Sequence, residues 1–206
     1  MLDTLIVQID KALRTLTHKA TSRREHPDAT ISDVTLNEQE TKHVSGLMRI
    51  DHCGEICAQG LYQGQALTSR DKTNKAAFEQ AAFEEIEHLA WTEQRLTELG
   101  GKKSYLNPLF YFGSLALGIG AGIFGDKWNL GFLEETEKQV EQHLTEHLEQ
   151  IPAHDAKSLA ILTQMKQDEA NHATMAHNYG SAELPKPIRA LMNTSSKIMT
   201  KVTYYI

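Results

Sequence analysis

The residues of this sequence best placed to do chemistry come in two matching pairs. Glu85-Ile86-Glu87-His88 and Glu169-Ala170-Asn171-His172 each set a glutamate three positions before a histidine. On a helix that spacing puts carboxylate and imidazole one turn apart on a single face. The face is an apolar one in both cases. Phe78, Ala81, Ala82, Leu89, Leu96 and Leu99 share it with the first pair, and Leu159, Leu162, Met165, Ala173 and Ala176 with the second. Two more glutamates interrupt apolar stripes in the same way: Glu55 after Val44, Leu47 and Met48 and before Ala58 and Tyr62, and Glu137 between Leu133 and Val140. Glu55 precedes Glu85 by nearly the same distance as Glu137 precedes Glu169, so the chain reads as two similar helix pairs. An ionised carboxylate in a core costs several kcal/mol or takes up a proton unless something compensates it. Few Lys or Arg residues occupy these stripes, and cations would supply the compensation.

Other acids, Glu84, Glu87, Glu134, Glu135 and Glu141, fall off the centre of the stripes and read as solvated helix residues, with Glu134 the rival of Glu137. Asp51 and His52 lie about one turn from Glu55, close enough to orient a ligating side chain, and His143 is a third candidate for that role. The plainer reading of His143 and His147 is polar helix surface. Cys53 and Cys57 read as small packing residues.

These residues need long helices to hold them, and the rest of the sequence supplies them. The chain has 206 residues, 40% of them hydrophobic and 23% charged, with 5 Pro and 13 Gly, a globular composition rather than a disordered one. A net charge of −6 argues against nucleic acid as a partner. Two cysteines make no disulfide framework, which points to a reducing compartment. Strand alternation is nearly absent, so the class is all-α. Met1 to Ala20 lacks signal-peptide features and spaces Leu2, Leu5, Ile6, Ile9, Leu13 and Leu16 helically. A polar stretch with Pro27 follows. Thr35-Leu36-Asn37-Glu38 reads as a capping box that starts a helix near residue 36, running to about Thr68. A second helix, capped by Asp71 or Thr73, ends at Gly100-Gly101; a third covers about 127–150 before Pro152, and a fourth about 153–179 before Gly180. Four such helices make a bundle. The expected division is residues 1–35, an amphipathic helix with a polar linker, and 36–206, the bundle with its additions.

Two segments point to a membrane. Residues 104–125 carry no charge until the far side of Gly125 and are long enough to span a bilayer. Residues 184–206 form a basic amphipathic pattern, with Lys186, Arg189, Lys197 and Lys201 beside Ile188, Leu191, Met192, Ile198 and Met199. Glu85 and Glu137 flank the first segment, so one crossing would divide the charged cluster between two sides of the bilayer. The expectation is an apolar helix lying in one leaflet of the cell membrane, on its cytoplasmic side, in a peripheral protein.

Two glutamates from two helices with two Glu-x-x-His pairs from two others resemble the ligand set of the ferritin-like di-iron and di-manganese carboxylate proteins, a correspondence taken from those proteins. More closely, the sequence resembles the demethoxyubiquinone hydroxylases of ubiquinone biosynthesis. Met48-Arg49-Ile50-Asp51-His52-Cys53-Gly54-Glu55, with Ala58 and Tyr62, is similar to that family's first motif. Glu85 to Leu89 is similar to the second, Glu137 within residues 134–140 to the third, and Asp168 to His172 to the fourth. Asn107-Pro108-Leu109-Phe110-Tyr111 resembles the start of its membrane-facing segment.

The resemblance spans about residues 47–206 and implies a ferritin-like four-helix bundle. Two iron ions would be held by Glu55, Glu85, His88, Glu137, Glu169 and His172, and the activity would be O2-dependent hydroxylation of a prenylated methoxy-methyl-benzoquinol. It implies as partners that quinol, O2, an electron donor and one membrane leaflet, with a homo-oligomer or a biosynthetic complex as the assembly. Where eukaryotic members carry a tyrosine linked to reduction by NADH, after the position of His143, this chain has Leu144, so the resemblance carries no electron donor over. The competing readings are a peroxide-handling, iron-storage or tRNA-hydroxylating protein of the same architecture, and a non-catalytic helical scaffold at a membrane.

Overall fold

The computed structural model describes residues 2–206; Met1, and the side chains of Leu2 and Leu5 in the N-terminal stripe, lie outside the described residues. Seven helices account for the described secondary structure, and no strand is present among the described residues. They are α1 (Leu2–Thr17), α2 (Glu38–Thr68), α3 (Lys72–Glu98), α4 (Asn107–Ile123), α5 (Asp126–Leu148), α6 (Ala156–Asn178) and α7 (Lys186–Thr203).

The four long helices, α2, α3, α5 and α6, share a core in which Leu47 and Met48 meet Trp91, Leu144 and Met165. Their ends are set locally. The Asn37 side chain accepts from the Glu40 amide while Glu40 reaches back to the Asn37 amide, so the capping box sits two residues later than the sequence pattern suggests. Asp71 caps α3 through the amides of Thr73 and Asn74. The fourth bundle helix starts at Ala156 rather than near 153, because Asp155 is the residue that accepts from the Ser158 amide.

α4 is the crossover that lets the second helix pair join the first. It runs parallel to α2, with Tyr111 beside Gly60 and Gly118 beside Leu61 and Gln65, and so returns the chain to the end of the bundle where α5 begins. The approach is too close for side chains: a Cβ on Gly64 would lie 2.4 Å from the Leu115 carbonyl oxygen, and one on Gly118 would lie 2.1 Å from that of Leu61. α5 therefore runs antiparallel to α2, and the bundle has the single long crossover of ferritin-like folds. No helix among the described residues is long and apolar enough to cross a membrane. α4 nevertheless leaves Leu109, Phe112, Leu117 and the adjoining Phe124 exposed, as α7 leaves Leu191 and Ile198.

The N-terminal segment packs on the bundle. Ala12 and Leu16 meet Ile56 and Leu89, and residues 22–24 cover the outside of α3, where Ser22 donates to Glu87 and the amides of Arg23 and Arg24 reach the same carboxylate at 3.0 Å.

Candidate metal centre

Glu55, Glu85, His88, Glu137, Glu169 and His172 are all buried at mid-bundle, one or two from each long helix. Their donor atoms fall into two groups: Glu55, Glu85, His88 and Glu169 in one, Glu85, Glu137, Glu169 and His172 in the other, each within 4.8 Å. Glu85 and Glu169 belong to both. Each divides its two oxygens between the histidines. Glu85 Oε2 is 2.7 Å from His88 Nδ1 while its Oε1 is 3.0 Å from His172 Nδ1. Glu169 Oε1 is 3.3 Å from His88 Nδ1 and its Oε2 3.6 Å from His172 Nδ1. Glu55 stands 3.9 Å from His88 on one side, and Glu137, which accepts from the Tyr62 hydroxyl, stands on the other. Two adjacent cation positions would fit these two groups, with Glu85 and Glu169 common to both and one imidazole available to each.

The electrostatics agree with that geometry. Burial and the charges of Glu85 and Glu169 push the Glu55 carboxyl well above its ordinary range. Burial and the same two neighbours do so for Glu137. Against the opposing effect of burial, the imidazoles of His88 and His172 hold Glu85 low. Burial also opposes the charging of the imidazoles, but the Glu85 charge and the bond to Asp168 with the nearby Glu169 carboxylate raise His88 well above 6.5, and the adjacent carboxylates of Glu169 and Glu85 raise His172 to about 12. Protons thus stand where four acids crowd together, and Glu85 Oε1, Glu169 Oε2 and His172 Nδ1 are buried with no hydrogen-bond partner among the described residues. Two divalent cations fit this donor set, because they would replace those protons and take up the orphaned atoms.

The outward nitrogens of both histidines are held by carboxylates from the opposite motif. His88 Nε2 is 3.1 Å from Asp168, the residue before Glu169. His172 Nε2 is 2.6 Å from Glu84, the residue before Glu85. Burial works against ionisation of Asp168, yet its bonds to His88 and Arg24 hold it down at about 2. Glu84 keeps the expected solvated helix pair, with Gln80, and adds the contact to His172 that the sequence did not show, whereas the reading of Glu87 is corrected: it is buried under residues 22–24 rather than exposed. The available signal was the acid that precedes the glutamate in both Glu-x-x-His motifs. Glu134 bonds Lys138 and Ser181 and stays outside both groups.

The three candidates for orienting a ligand lie elsewhere. His52 is buried with both ring nitrogens unpartnered among the described residues, and burial with the Lys103 charge lowers it to about 3. Asp51 and His143 gather with His147 on the α2–α5 face, and His147 is buried rather than surface polar. Cys53 is buried and accepts from Thr203.

A cavity of about 1130 Å³, counting its open mouth, leads to the carboxylates. Glu55, Glu137 and Glu169 line it, together with Phe110, Ser114 and Leu117 of α4 and Met192, Ser196 and Met199 of α7. Most of the remaining lining is apolar, including Ala58, Leu61, Val140 and Leu144. Such a channel suits a ligand with a greasy body and a reactive polar ring.

Comparison with known proteins agrees with the site. The profile of the family described as ubiquinone biosynthesis protein COQ7 matches residues 42–203. The chain is 59% identical to the 3-demethoxyubiquinol 3-hydroxylase of Chromobacterium violaceum over the full length of both, and 57% identical to the protein of that name from Laribacter hongkongensis, again over both full lengths. The corresponding protein of Dechloromonas aromatica is 57% identical over 98% of each chain.

Proposed function

This chain belongs to the family of ubiquinone biosynthesis protein COQ7, and from that membership we propose that it is a 3-demethoxyubiquinol 3-hydroxylase that uses two iron ions. The observation that carries the proposal is the sharing of Glu85 and Glu169 between two donor groups, three of whose acids, Glu55, Glu137 and Glu169, line a mostly apolar cavity. Glu55 and His88 would complete one iron position, and Glu137 and His172 the other. Bound there, iron supplies the activation and reduction of O2 that ring hydroxylation requires. One oxygen atom enters the ring and the other leaves as water, so two electrons must come from a donor. Leu144 in the cavity wall offers no redox-active side chain for that transfer, which leaves the quinol's own electron-rich ring or an external reductant.

The chain's residues have definable tasks. Glu85 and Glu169 hold the two positions together, and Asp168 and Glu84 fix the ring orientation of His88 and His172. Tyr62 donates to Glu137 and fixes its carboxylate. The apolar walls exclude water and align a prenylated ring with the cluster. A peroxide-handling or iron-storage protein has no use for an apolar cavity of this size.

The same reading extends to the membrane. α4 and α7, which both contribute to the cavity lining, also carry exposed apolar residues, and α7 adds Lys186, Arg189, Lys197 and Lys201. Residues 36–206 would act as one di-iron domain seated on the cytoplasmic leaflet of the cell membrane, as a homo-oligomer or within a biosynthetic assembly, so that a lipid-soluble quinol enters from the bilayer. Quinone analysis of a strain lacking this protein tests the reaction. Accumulation of demethoxyubiquinone, reversed by the intact chain and not by Glu169→Ala, is the expected result; normal quinone content in the deletion strain would overturn it.

A further inference from the structure

We propose that Asp51, His143 and His147 form a separate, mononuclear site for a divalent transition-metal ion in the wall of the cavity. The three donors lie within 4.8 Å of one another. His143 and His147 stand four apart on α5, which puts both imidazoles on one face, and Asp51 reaches them from α2. Two imidazoles and one carboxylate are a recurring ligand set for divalent iron and, with a water, for zinc.

The polar bookkeeping favours a cation over a plain ion pair. His147 Nδ1 lies 2.8 Å from Asp51 Oδ1, and His143 Nε2 lies 3.9 Å from the same oxygen. Despite that proximity, both Asp51 oxygens, His143 Nε2 and His147 Nδ1 are buried without a hydrogen-bond partner among the described residues. Four convergent orphans are a costly arrangement. An Asp51–His147 pair would satisfy two of them and leave His143 Nε2 and the second oxygen without partners; one cation can engage both nitrogens and the carboxylate. The two rings are already drawn together, with centroids 3.9 Å apart.

The site is distinct from the six-residue cluster, with which it shares no donor. Asp51 precedes Glu55 by one helical turn, about 6 Å along the α2 axis. Asp51 and His143 both line the cavity, so a metal with open coordination positions would present them to an oxygen-bearing ligand that enters from the mouth.

Zinc alone is a sufficient probe. The full chain, stripped of metal with a chelator, would be titrated with Zn2+ against a competing indicator, and bound metal counted by mass spectrometry after desalting. Wild type is expected to retain three equivalents per chain. His147→Gln and the more exposed His143→Gln should each lose one and keep two, with unchanged circular dichroism, whereas Glu169→Ala should keep the third. Saturation of wild type at two equivalents would overturn the proposal, as would a third equivalent that survives both histidine variants or vanishes with Glu169→Ala. A failed di-iron reading would leave a different mark: the equivalent sensitive to His143 and His147 would remain while the other two were absent.

Discussion

The outer nitrogen of His88 is held 3.1 Å from the carboxylate of Asp168, and the same oxygen of Asp168 receives the Arg24 guanidinium at 2.7 Å. A chain of charge thus runs from the N-terminal segment to the centre of the bundle. It fixes which imidazole nitrogen faces the carboxylates, because Asp168 takes Nε2 and leaves Nδ1 directed inward.

Asp168→Asn should therefore weaken metal binding by about 10- to 100-fold while helix content stays the same. Arg24→Ala, which removes only the outer link at a half-exposed position, should have a smaller effect. Iron or zinc affinity measured by competition checks both. An Asp168→Asn protein with wild-type affinity would mean that His88 is oriented by packing alone.

How much of this was legible in the sequence depends on whether the determinant was local. Helix ends followed from short-range signals such as Asp71 and Gly100-Gly101, and the two Glu-x-x-His pairs stood out because their spacing coincided with an apolar stripe. Glu87 could not be read that way. Its burial comes from residues 22–24, which lie more than sixty positions earlier, and no periodicity within α3 announces that cover. His147 was obscured similarly, because its partner Asp51 sits on another helix. The close approach of α4 to α2 depends on glycines whose meaning appears only when the two backbones face each other.

The pH dependence of the metal-free protein has a definite sign. Glu55 and Glu137 are raised by burial and neighbouring acids, and His88 and His172 are raised by the acids around them. A group whose folded pKa is raised contributes stability below its unfolded value and loses it as pH climbs toward the folded one. The unfolded values lie at about 4.3 for Glu and about 6.5 for His. Metal-free protein should therefore lose thermal stability as pH rises above about 6.5, where the unfolded histidines release protons that the folded ones keep. Metal binding displaces those protons, so the stabilisation it confers should grow over the same range. Thermal melts with and without Zn2+ check this, and a metal-free midpoint that rises with pH would contradict it.

A structural prediction concerns Arg95, which is buried between α3 and α6. Its Nη2 lies 2.8 Å from Asp155, also buried, and its Nε donates to Ser158 at 3.0 Å. Asp155 is the cap of α6, the helix that carries Glu169 and His172. Arg95→Met leaves that carboxylate buried without its counter-charge and should cost about 3–5 kcal/mol. Urea unfolding of the metal-free chain measures it; a loss below about 1 kcal/mol would show that Asp155 finds water or another partner.

The last prediction concerns the cavity mouth, where two different forces would seat the protein on a bilayer. Leu109, Phe112, Leu117 and Phe124 present apolar surface, each more than half exposed, and insertion of such side chains is insensitive to salt. Lys197 and Lys201 on α7 add attraction to anionic lipid of about 1 kcal/mol each, which salt screens. The two can be separated. Lys197→Glu with Lys201→Glu should weaken binding to vesicles containing anionic lipid and reduce its salt dependence, while vesicles of neutral lipid are bound as before. Phe112→Ser with Phe124→Ser should weaken binding to both kinds. All four positions lie outside the six-residue cluster, so turnover of a short-chain, water-soluble quinol should persist in either variant, and the deficit should appear only with a long-prenyl substrate supplied in vesicles. Flotation assays and paired turnover measurements check this; equal recovery of wild type and both variants with vesicles would remove the membrane from the account of how substrate enters.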